Sequence, residues 1–179
     1  MQTAISIGAT VVIVRDGQVL MTKREDYEVW CLPGGHSDPD ESLAATAIRE
    51  AKEEVGLEVE LTRFVGVYSR LGAEKSIHLS VFTARPVAGI PTPQVDEVLD
   101  IRYFDPARLP RDMFWWHRQP IIDALAGVAG AAYTAIVEPP QQVYSRQELY
   151  ALRDRSGLSR TAFYHHYFES GNNSLVRNV

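Results

Sequence analysis

The chain has 179 residues, of which 45% are hydrophobic and 23% are charged, and its formal net charge is −5. These values suit one domain, or one domain with an appendage, that buries a proper core, and they argue against a general polyanion-binding surface. Cys31 is the single cysteine, which excludes an intrachain disulfide and fits a reducing cytoplasm. Neither a signal-peptide pattern nor an apolar run of about 18 residues is found, so we expect a cytoplasmic protein without a membrane segment.

The first part of the chain is predicted to form strands joined by short turns. β-Branched and apolar residues dominate 6–14 and 19–24, and the Asp-Gly pair between them is typical of a hairpin turn. A short strand over 29–32 then leads into a Pro-Gly-Gly turn at 33–35, where glycine permits a tight backbone path.

The next segment is predicted to be an amphipathic helix with an unusual number of carboxylates. On a helix at about 100° per residue, 43–55 present one apolar arc, with Glu50, Glu53 and Glu54 gathered at its border. Three half-buried like charges repel one another and lose hydration, whereas Mg²⁺ or Mn²⁺ takes such oxygen ligands. The alternative is a solvated acidic face paired with neighbouring basic residues.

Both ends of this helix carry recognisable signals. Ser42 directly precedes the apolar periodic run and is the favoured N-cap, while Asp38 followed by Pro39 and Glu41 is a competing start. Gly56 is suited to the left-handed conformation that commonly ends a helix.

Residues 35–57 resemble the complete Nudix box, Gly-x5-Glu-x7-Arg-Glu-U-x-Glu-Glu-x-Gly-U, in which U is an apolar residue. Every fixed position is matched, and the one soft position is Ala51, where a bulkier aliphatic residue is common. The resemblance covers about residues 1–128 and is specific because many positions are fixed. It implies a loop–helix–loop that holds a divalent cation, Mg²⁺ or Mn²⁺, against a pyrophosphate.

Strand and helix patterns alternate through the rest of the first 130 residues. They predict strands over 77–84 and 98–104, a helix over 117–126, and one strand or two over 58–69 with a bend near Gly66. Such alternation favours an α/β sandwich. The resemblance implies the same class, a Nudix-type α/β/α sandwich with a mixed sheet, for a hydrolase domain over 1–130.

The resemblance also implies the catalytic centre. Glu50, Glu53 and Glu54 are the expected metal ligands, and one of them, Glu53 by first choice, is expected to act as base on the attacking water. Glu97, with Asp96 as its competitor, is expected to supply a further ligand or base from the start of the strand that follows a proline-rich loop.

Further box and near-box residues are expected around these carboxylates. Arg49 is expected to orient a box carboxylate such as Glu41 rather than to touch substrate, and it is counted with the catalytic residues. Arg24, Gly35, Glu41 and Trp30 are the expected substrate-binding residues. For Arg24 the alternative is a solvated strand end, and for Trp30 it is a place in the core.

Several other conspicuous side chains are expected to be structural. Nothing in its sequence context lowers the pKa of Cys31, so it is expected to pack. His78 is expected to be satisfied within a strand. Trp115, Trp116 and His117 are expected to form a core cluster rather than a clamp for a nucleotide base.

Residues 131–179 are predicted to form a C-terminal extension. The pattern indicates a strand over 131–137, helices over 145–153 and 160–168, and a frayed end over 171–179. The helix pair with its Ser-Gly-Leu-Ser turn resembles the turn and second helix of TetR-type repressors, but it lacks a clustered basic footprint. We therefore expect a helical hairpin that packs on the sandwich or in an oligomer interface.

Together these patterns predict a metal-dependent Nudix pyrophosphohydrolase that acts on a nucleotide or nucleoside-diphosphate derivative. The expected partner is a small nucleotide; a homodimer is left open, and neither membrane nor nucleic acid is expected. The alternative is a transcription regulator with a nucleotide-sensing Nudix domain and a DNA-binding tail, which does not need all the box carboxylates. A prenyl diphosphate isomerase of the same fold has only Cys31 in its favour.

Overall fold

The computed structural model describes residues 6–73, 75–93 and 96–179. The strands are β1 Ser6–Arg15, β2 Gln18–Arg24, β3 Trp30–Cys31, β4 Gly34–His36, β5 Leu57–Gly72, β6 Ile77–Gly89, β7 Val98–Phe104, β8 Ala131–Val137 and β9 Ser174–Arg177. The α-helices are α1 Leu43–Val55, α2 Arg118–Leu125, α3 Arg146–Arg155 and α4 Arg160–Tyr164, and α4 continues as a π-helix over His165–Glu169. None of the helices in these ranges is long and apolar enough to cross a membrane.

The strands form a mixed sheet. Its order is β3-β2-β1-β6-β5-β8-β9, with β4 added to β1 and β7 added to β2. The β1–β6 and β5–β8 pairs are parallel, and the remaining pairs are antiparallel. Parallel neighbours require long crossover connections. Helix α1 lies in the connection from β1 to β6, and α2 lies in the connection from β5 to β8.

Helices cover both faces of this sheet. Because side chains alternate along a strand, Ala9, Val11 and Ile13 of β1 face one side and Val12 faces the other. The first side packs against Ala47, Ala51 and Val55 of α1, and the second against Ile121 and Ala124 of α2. The fold is therefore the α/β/α sandwich that the sequence predicts.

The segment after the box is one long strand with a bend. Strand β5 continues through the predicted bend, and its register with β6 shifts between Phe64 and Gly66. A Cβ on Gly66 would lie 2.0 Å from the carbonyl oxygen of Ala131 at the start of β8. Glycine is therefore needed there for the close approach of the next strand.

The C-terminal extension contributes to the sheet. Strand β8 pairs with β5 immediately after the predicted boundary at residue 130. Strand β9 then pairs with β8, so the prediction of a frayed end over 171–179 is wrong. All four side chains of β9 are exposed, and its backbone hydrogen bonds place it at the edge of the sheet. Its residues therefore show no buried apolar pattern from which the strand could be predicted.

Aromatic side chains fix the last helices to the sandwich. The hydroxyl of Tyr164 donates to the carbonyl of Met113 at 2.8 Å and accepts from the backbone N–H of Trp115 at 2.9 Å. A buried cluster, called the C-terminal core below, joins the extension to the loop after β2 and includes Tyr27, Val29, Trp116, Leu149, Phe163, Tyr164, Tyr167 and Phe168. The aromatic pattern over 160–168 therefore marks a packing surface.

Candidate active site

The box helix α1 has the ends that its sequence indicates. The hydroxyl of Ser42 accepts from the backbone N–H of Ala45 at 3.1 Å, and Gly56 ends the helix with a φ of 69°. The competing start is not helical. Instead, the backbone N–H of Asp38 donates to a carboxylate oxygen of Glu41 at 3.2 Å.

The three box glutamates occupy different environments along this helix. Glu50 and Glu54 are buried, with 9% and 8% of their surface exposed, and both line a large cleft. The side chain of Glu53 is 53% exposed and lies outside the cleft lining. The structure therefore brings two of the three box glutamates into the cleft and leaves Glu53 at its side, linked to Glu50 through Arg49.

Arg49 connects the box carboxylates. Its Nε and Nη2 donate to the two oxygens of Glu41, both at 2.9 Å. Its Nη1 donates to Glu50 and to Glu53, again at 2.9 Å each, and Nη2 also donates to the carbonyl of His36 at 3.0 Å. These charge-assisted bonds, with a further bond from Thr46, lower the pKa of Glu41 to about 2. The guanidinium thus fixes the orientation of these side chains.

The Pro-Gly-Gly turn runs close against the glutamates. The backbone N–H of Gly34 donates to Glu54 at 3.0 Å. A Cβ on Gly35 would lie 2.5 Å from a carboxylate oxygen of Glu50. This close approach explains why the turn carries glycine at the position where the box begins.

The two cleft glutamates carry charge that the protein does not fully compensate. Burial raises the pKa of Glu54 to about 7, although the N–H of Gly34 and the charge of Arg24 act in the opposite direction. Burial also raises the pKa of Glu50 despite its contact with Arg49. Glu97 adds to both shifts, so the structure places this predicted residue within electrostatic range of the pair, at the same cleft.

The donor set fits a hard cation in its chemistry. Buried carboxylate oxygens are the ligands that Mg²⁺ and Mn²⁺ take, and a cation would relieve the raised pKa values of this pair. Across the described ranges, however, no three acidic, histidine or cysteine side chains stand together as a finished metal site. Arg49 donates to one oxygen of Glu50 and to one oxygen of Glu53, which leaves the second oxygen of each carboxylate for a cation.

The cleft has a volume of about 740 Å³, large enough for a nucleotide. Arg24 lines it, as expected, but its guanidinium forms two hydrogen bonds to Asp26, at 2.9 and 2.6 Å. Trp30 does not line it. Its ring packs edge-to-face on Phe104 and under Arg102, so the core alternative holds for Trp30 and the expected contact with a nucleotide base does not.

The side chains expected to be structural are buried or satisfied. Burial raises the pKa of Cys31 to about 12, so its thiol stays protonated at neutral pH. His78 forms a 2.8 Å hydrogen bond with Ser69. The Nδ1 of His117 accepts from the backbone N–H of Leu32 at 3.0 Å, and Trp116 joins the C-terminal core.

Several cleft-lining residues carried no recognisable sequence signal. They come from the β5–β6 connection and from the C-terminal extension, and they include Lys75, Tyr144, Ser145, Arg146, Tyr150 and Phe168. The only hint of the extension's position is its dense aromatic pattern, which does not reveal the surface against which those rings pack.

Comparisons with known proteins identify the family of this chain. The family model of the NUDIX domain matches residues 5–125. A putative 8-oxo-dGTP diphosphatase of Bacillus subtilis is 36% identical over 104 residues, which cover 58% of this chain and 68% of that protein. An ADP-ribose pyrophosphatase of Methanocaldococcus jannaschii is 29% identical over 107 residues, covering 58% and 63%. The crystal structure of a MutT NUDIX hydrolase from Burkholderia pseudomallei superposes with a TM-score of 0.64 at 26% identity, covering 67% of this chain and 98% of that one.

Proposed function

This chain belongs to the Nudix family as a pyrophosphohydrolase, and on that premise we propose that it uses Mg²⁺ or Mn²⁺ to hydrolyse a pyrophosphate bond in a nucleotide or nucleoside-diphosphate derivative. The observation that carries the proposal is the buried pair Glu50 and Glu54, which faces a nucleotide-sized cleft with raised pKa values. A divalent cation would offset their charge and connect them to substrate phosphates.

The residues of the site have different roles in metal binding and in positioning. Glu50 and Glu54 would hold the cation from the cleft, with Glu53 and Glu97 as further ligands. When bound, the cation supplies Lewis-acid polarisation of the phosphoryl oxygens. Arg49 keeps Glu41, Glu50 and Glu53 oriented and is a positioning residue.

One of the box glutamates accepts the proton from the attacking water. Glu53 is half exposed and bonded to Arg49, whereas Glu54 is buried beside the Gly34 N–H. Glu53→Gln and Glu54→Gln separate the two assignments. At a cation concentration that saturates each variant, the variant of the true base should still lose turnover by about 100-fold or more, whereas the variant of a ligand alone should recover much of its turnover.

The substrate class is tested by a nucleotide screen with Mg²⁺ and with Mn²⁺. Nucleoside triphosphates, ADP-ribose and nucleotide sugars form the panel, because similar proteins are named for the hydrolysis of 8-oxo-dGTP and ADP-ribose. We expect hydrolysis that requires the cation and is nearly abolished in Glu50→Gln. Hydrolysis in ¹⁸O-water then identifies the phosphorus that is attacked. Equal turnover with and without EDTA would refute the proposal.

The structure offers nothing specific in favour of a DNA-binding tail. The second helix of the pair directs Phe163, Tyr164, Tyr167 and Phe168 into the C-terminal core, where the rings are 0–3% exposed. The proposal therefore remains that of an enzyme, and a gel-shift assay with the upstream DNA is expected to show no specific band.

A further inference from the structure

One wall of the cleft comes from outside the Nudix match. The family model ends at residue 125, whereas Tyr144, Arg146 and Tyr150 line the same cleft as Glu50 and Glu54. The extension is therefore part of the cavity in which the substrate is proposed to bind.

This wall is held firmly in place. The hydroxyl of Tyr150 donates to Asp26 at 3.1 Å, and Arg153 donates to the Asp26 carbonyl at 2.8 Å. Arg160 donates to the carbonyl of Glu25 at 2.8 Å and also bonds its carboxylate. With the aromatic contacts of the C-terminal core, these bonds fix the start of α3 relative to the cleft.

The wall presents positive charge that the protein leaves available. Among the described residues, neither Arg146 nor Lys75 forms an ion pair with an acidic side chain, and both are exposed in the cleft. In contrast, Arg24 is paired with Asp26 and Arg160 with Glu25. The Arg146 guanidinium lies 5.9 Å from the ring of Tyr150, and its charge also acts on the carboxylate of Asp26. Within the described ranges its N–H donors form no hydrogen bond, so their planar set can face an anionic ligand.

The positively charged side chains of Lys75 and Arg146 both act on His36, beside the Gly-Gly turn. His36 directly follows Gly35, and its pKa is lowered first by burial and then by the charges of Lys75 and Arg146, with further contributions from Arg70 and Arg24. Lys75 and Arg146 thus direct positive potential towards the turn that contacts Glu50 and Glu54.

We propose that Arg146 and Lys75 form a phosphate subsite, with Arg146 supplied by the C-terminal extension, that binds the phosphate chain of the substrate next to the box carboxylates. The inference rests on the proposed function for its substrate class. An arginine offers the planar, bidentate geometry that suits a phosphate group, and a lysine adds a point charge. The subsite therefore recognises phosphate and not the nucleotide base.

The test measures binding apart from hydrolysis. Methylenediphosphonate, a pyrophosphate analogue with a non-hydrolysable bridge and no base, is titrated calorimetrically with Mg²⁺ into the full-length chain. Loss of a charge-assisted contact should raise Kd by about 10-fold in Arg146→Gln and in Lys75→Gln. Arg146→Lys should recover part of the affinity. Arg155→Gln is the matched control, since Arg155 is an exposed arginine of α3 that does not line the cleft.

The outcomes separate this proposal from the general one. Equal Kd values for Arg146→Gln and Arg155→Gln, or no binding to the wild-type chain, would overturn the subsite. If binding depends on Arg146 but no nucleotide is hydrolysed, the subsite stands and the proposed function fails. With an identified substrate, Arg146→Gln should raise KM by about 10-fold with kcat changed by less than about 2-fold, as expected for a contact made equally in the ground and transition states.

Discussion

At the residue scale, the orientation of the box depends on one guanidinium. Arg49 reaches Glu41, Glu50, Glu53 and the carbonyl of His36 from three nitrogen atoms. A lysine keeps the charge but has a single ammonium, so it cannot reproduce this fork. We expect Arg49→Lys to lower kcat/KM by about 10- to 100-fold, the usual cost of losing a group that orients metal ligands.

The control for this prediction is another paired arginine. Arg85 pairs with Glu60 at an exposed site, away from the cleft lining. Arg85→Lys should leave kcat/KM near the wild-type value. Full activity of Arg49→Lys in the same assay would show that charge alone is sufficient at this position.

At the element scale, helix α1 combines a stabilising N-terminus with a functional C-terminal half. Ser42 satisfies the N–H of Ala45 at the first turn, whereas the glutamates lie two to three turns further on. Ser42→Ala should therefore lower the free energy of unfolding by about 1 kcal/mol, measured by denaturant titration. Turnover of the folded protein should stay unchanged. Ser42→Thr, which keeps a capping hydroxyl, should retain most of the stability. If Ser42→Ala lost turnover in proportion to its loss of stability, the separation of a stabilising N-terminus from a functional C-terminal half would be contradicted.

At the scale of the whole molecule, a buried histidine makes the free energy of unfolding of the sandwich depend on pH. Burial, with the charges of Arg24 and Arg70, lowers the pKa of His117 from 6.5 to about 3. Between these values position 117 binds more protons in the unfolded chain than in the folded one, so the contribution of His117 to stability is complete above pH 6.5 and falls as the pH falls. We expect a contribution of about 2 kcal/mol to be lost between about pH 7 and pH 5.

A substitution isolates this effect. His117→Asn keeps an acceptor for the Leu32 N–H but does not titrate, so its free energy of unfolding should depend less steeply on pH in the same interval. The exposed His166→Asn serves as the control and should follow the wild-type slope. Parallel slopes for all three proteins would exclude His117 as the titrating group.

The extension is expected to be integral to the fold. Removing residues 141–179 would uncover Tyr27, Val29 and Trp116, which are 0–8% exposed, and would remove the strand that covers β8. Exposing a large apolar side chain costs about 1.5–3 kcal/mol. The sum over several such side chains is comparable with the total stability of a typical domain. We therefore expect the truncated chain to aggregate, as followed by light scattering and thermal unfolding.

A shorter deletion controls for the loss of the edge strand alone. Removing residues 174–179 takes away β9, whose side chains are exposed, and leaves the C-terminal core in place. This variant should stay folded with a modest loss of stability. A stable, monomeric chain after the longer deletion would show that the extension is a separate module.

Local patterns predicted some features correctly and missed others for a physical reason. The caps of α1 and the bend of β5 depend on residues a few positions apart, so periodicity and glycine placement suffice to find them. The burial of Trp30 depends on Phe104, far along the chain, and a lone aromatic gives no sign of that partner. Strand β9 is defined by backbone pairing with β8, which leaves no apolar signature.

The sequence by itself determined the helix that carries Glu50, Glu53 and Glu54, because helical spacing fixes which side chains share a face. The family and the α/β/α class followed from the resemblance of residues 35–57 to the Nudix box. Only the tertiary structure decided that Glu50 and Glu54 enter the cleft while Glu53 stays at its side, and that Arg49 donates hydrogen bonds to both Glu50 and Glu53. It also placed Arg146 in the cleft wall, through contacts of α3 and α4 with the loop after β2. Such long-range contacts arise from packing and hydrogen bonding between distant segments, which no local pattern encodes.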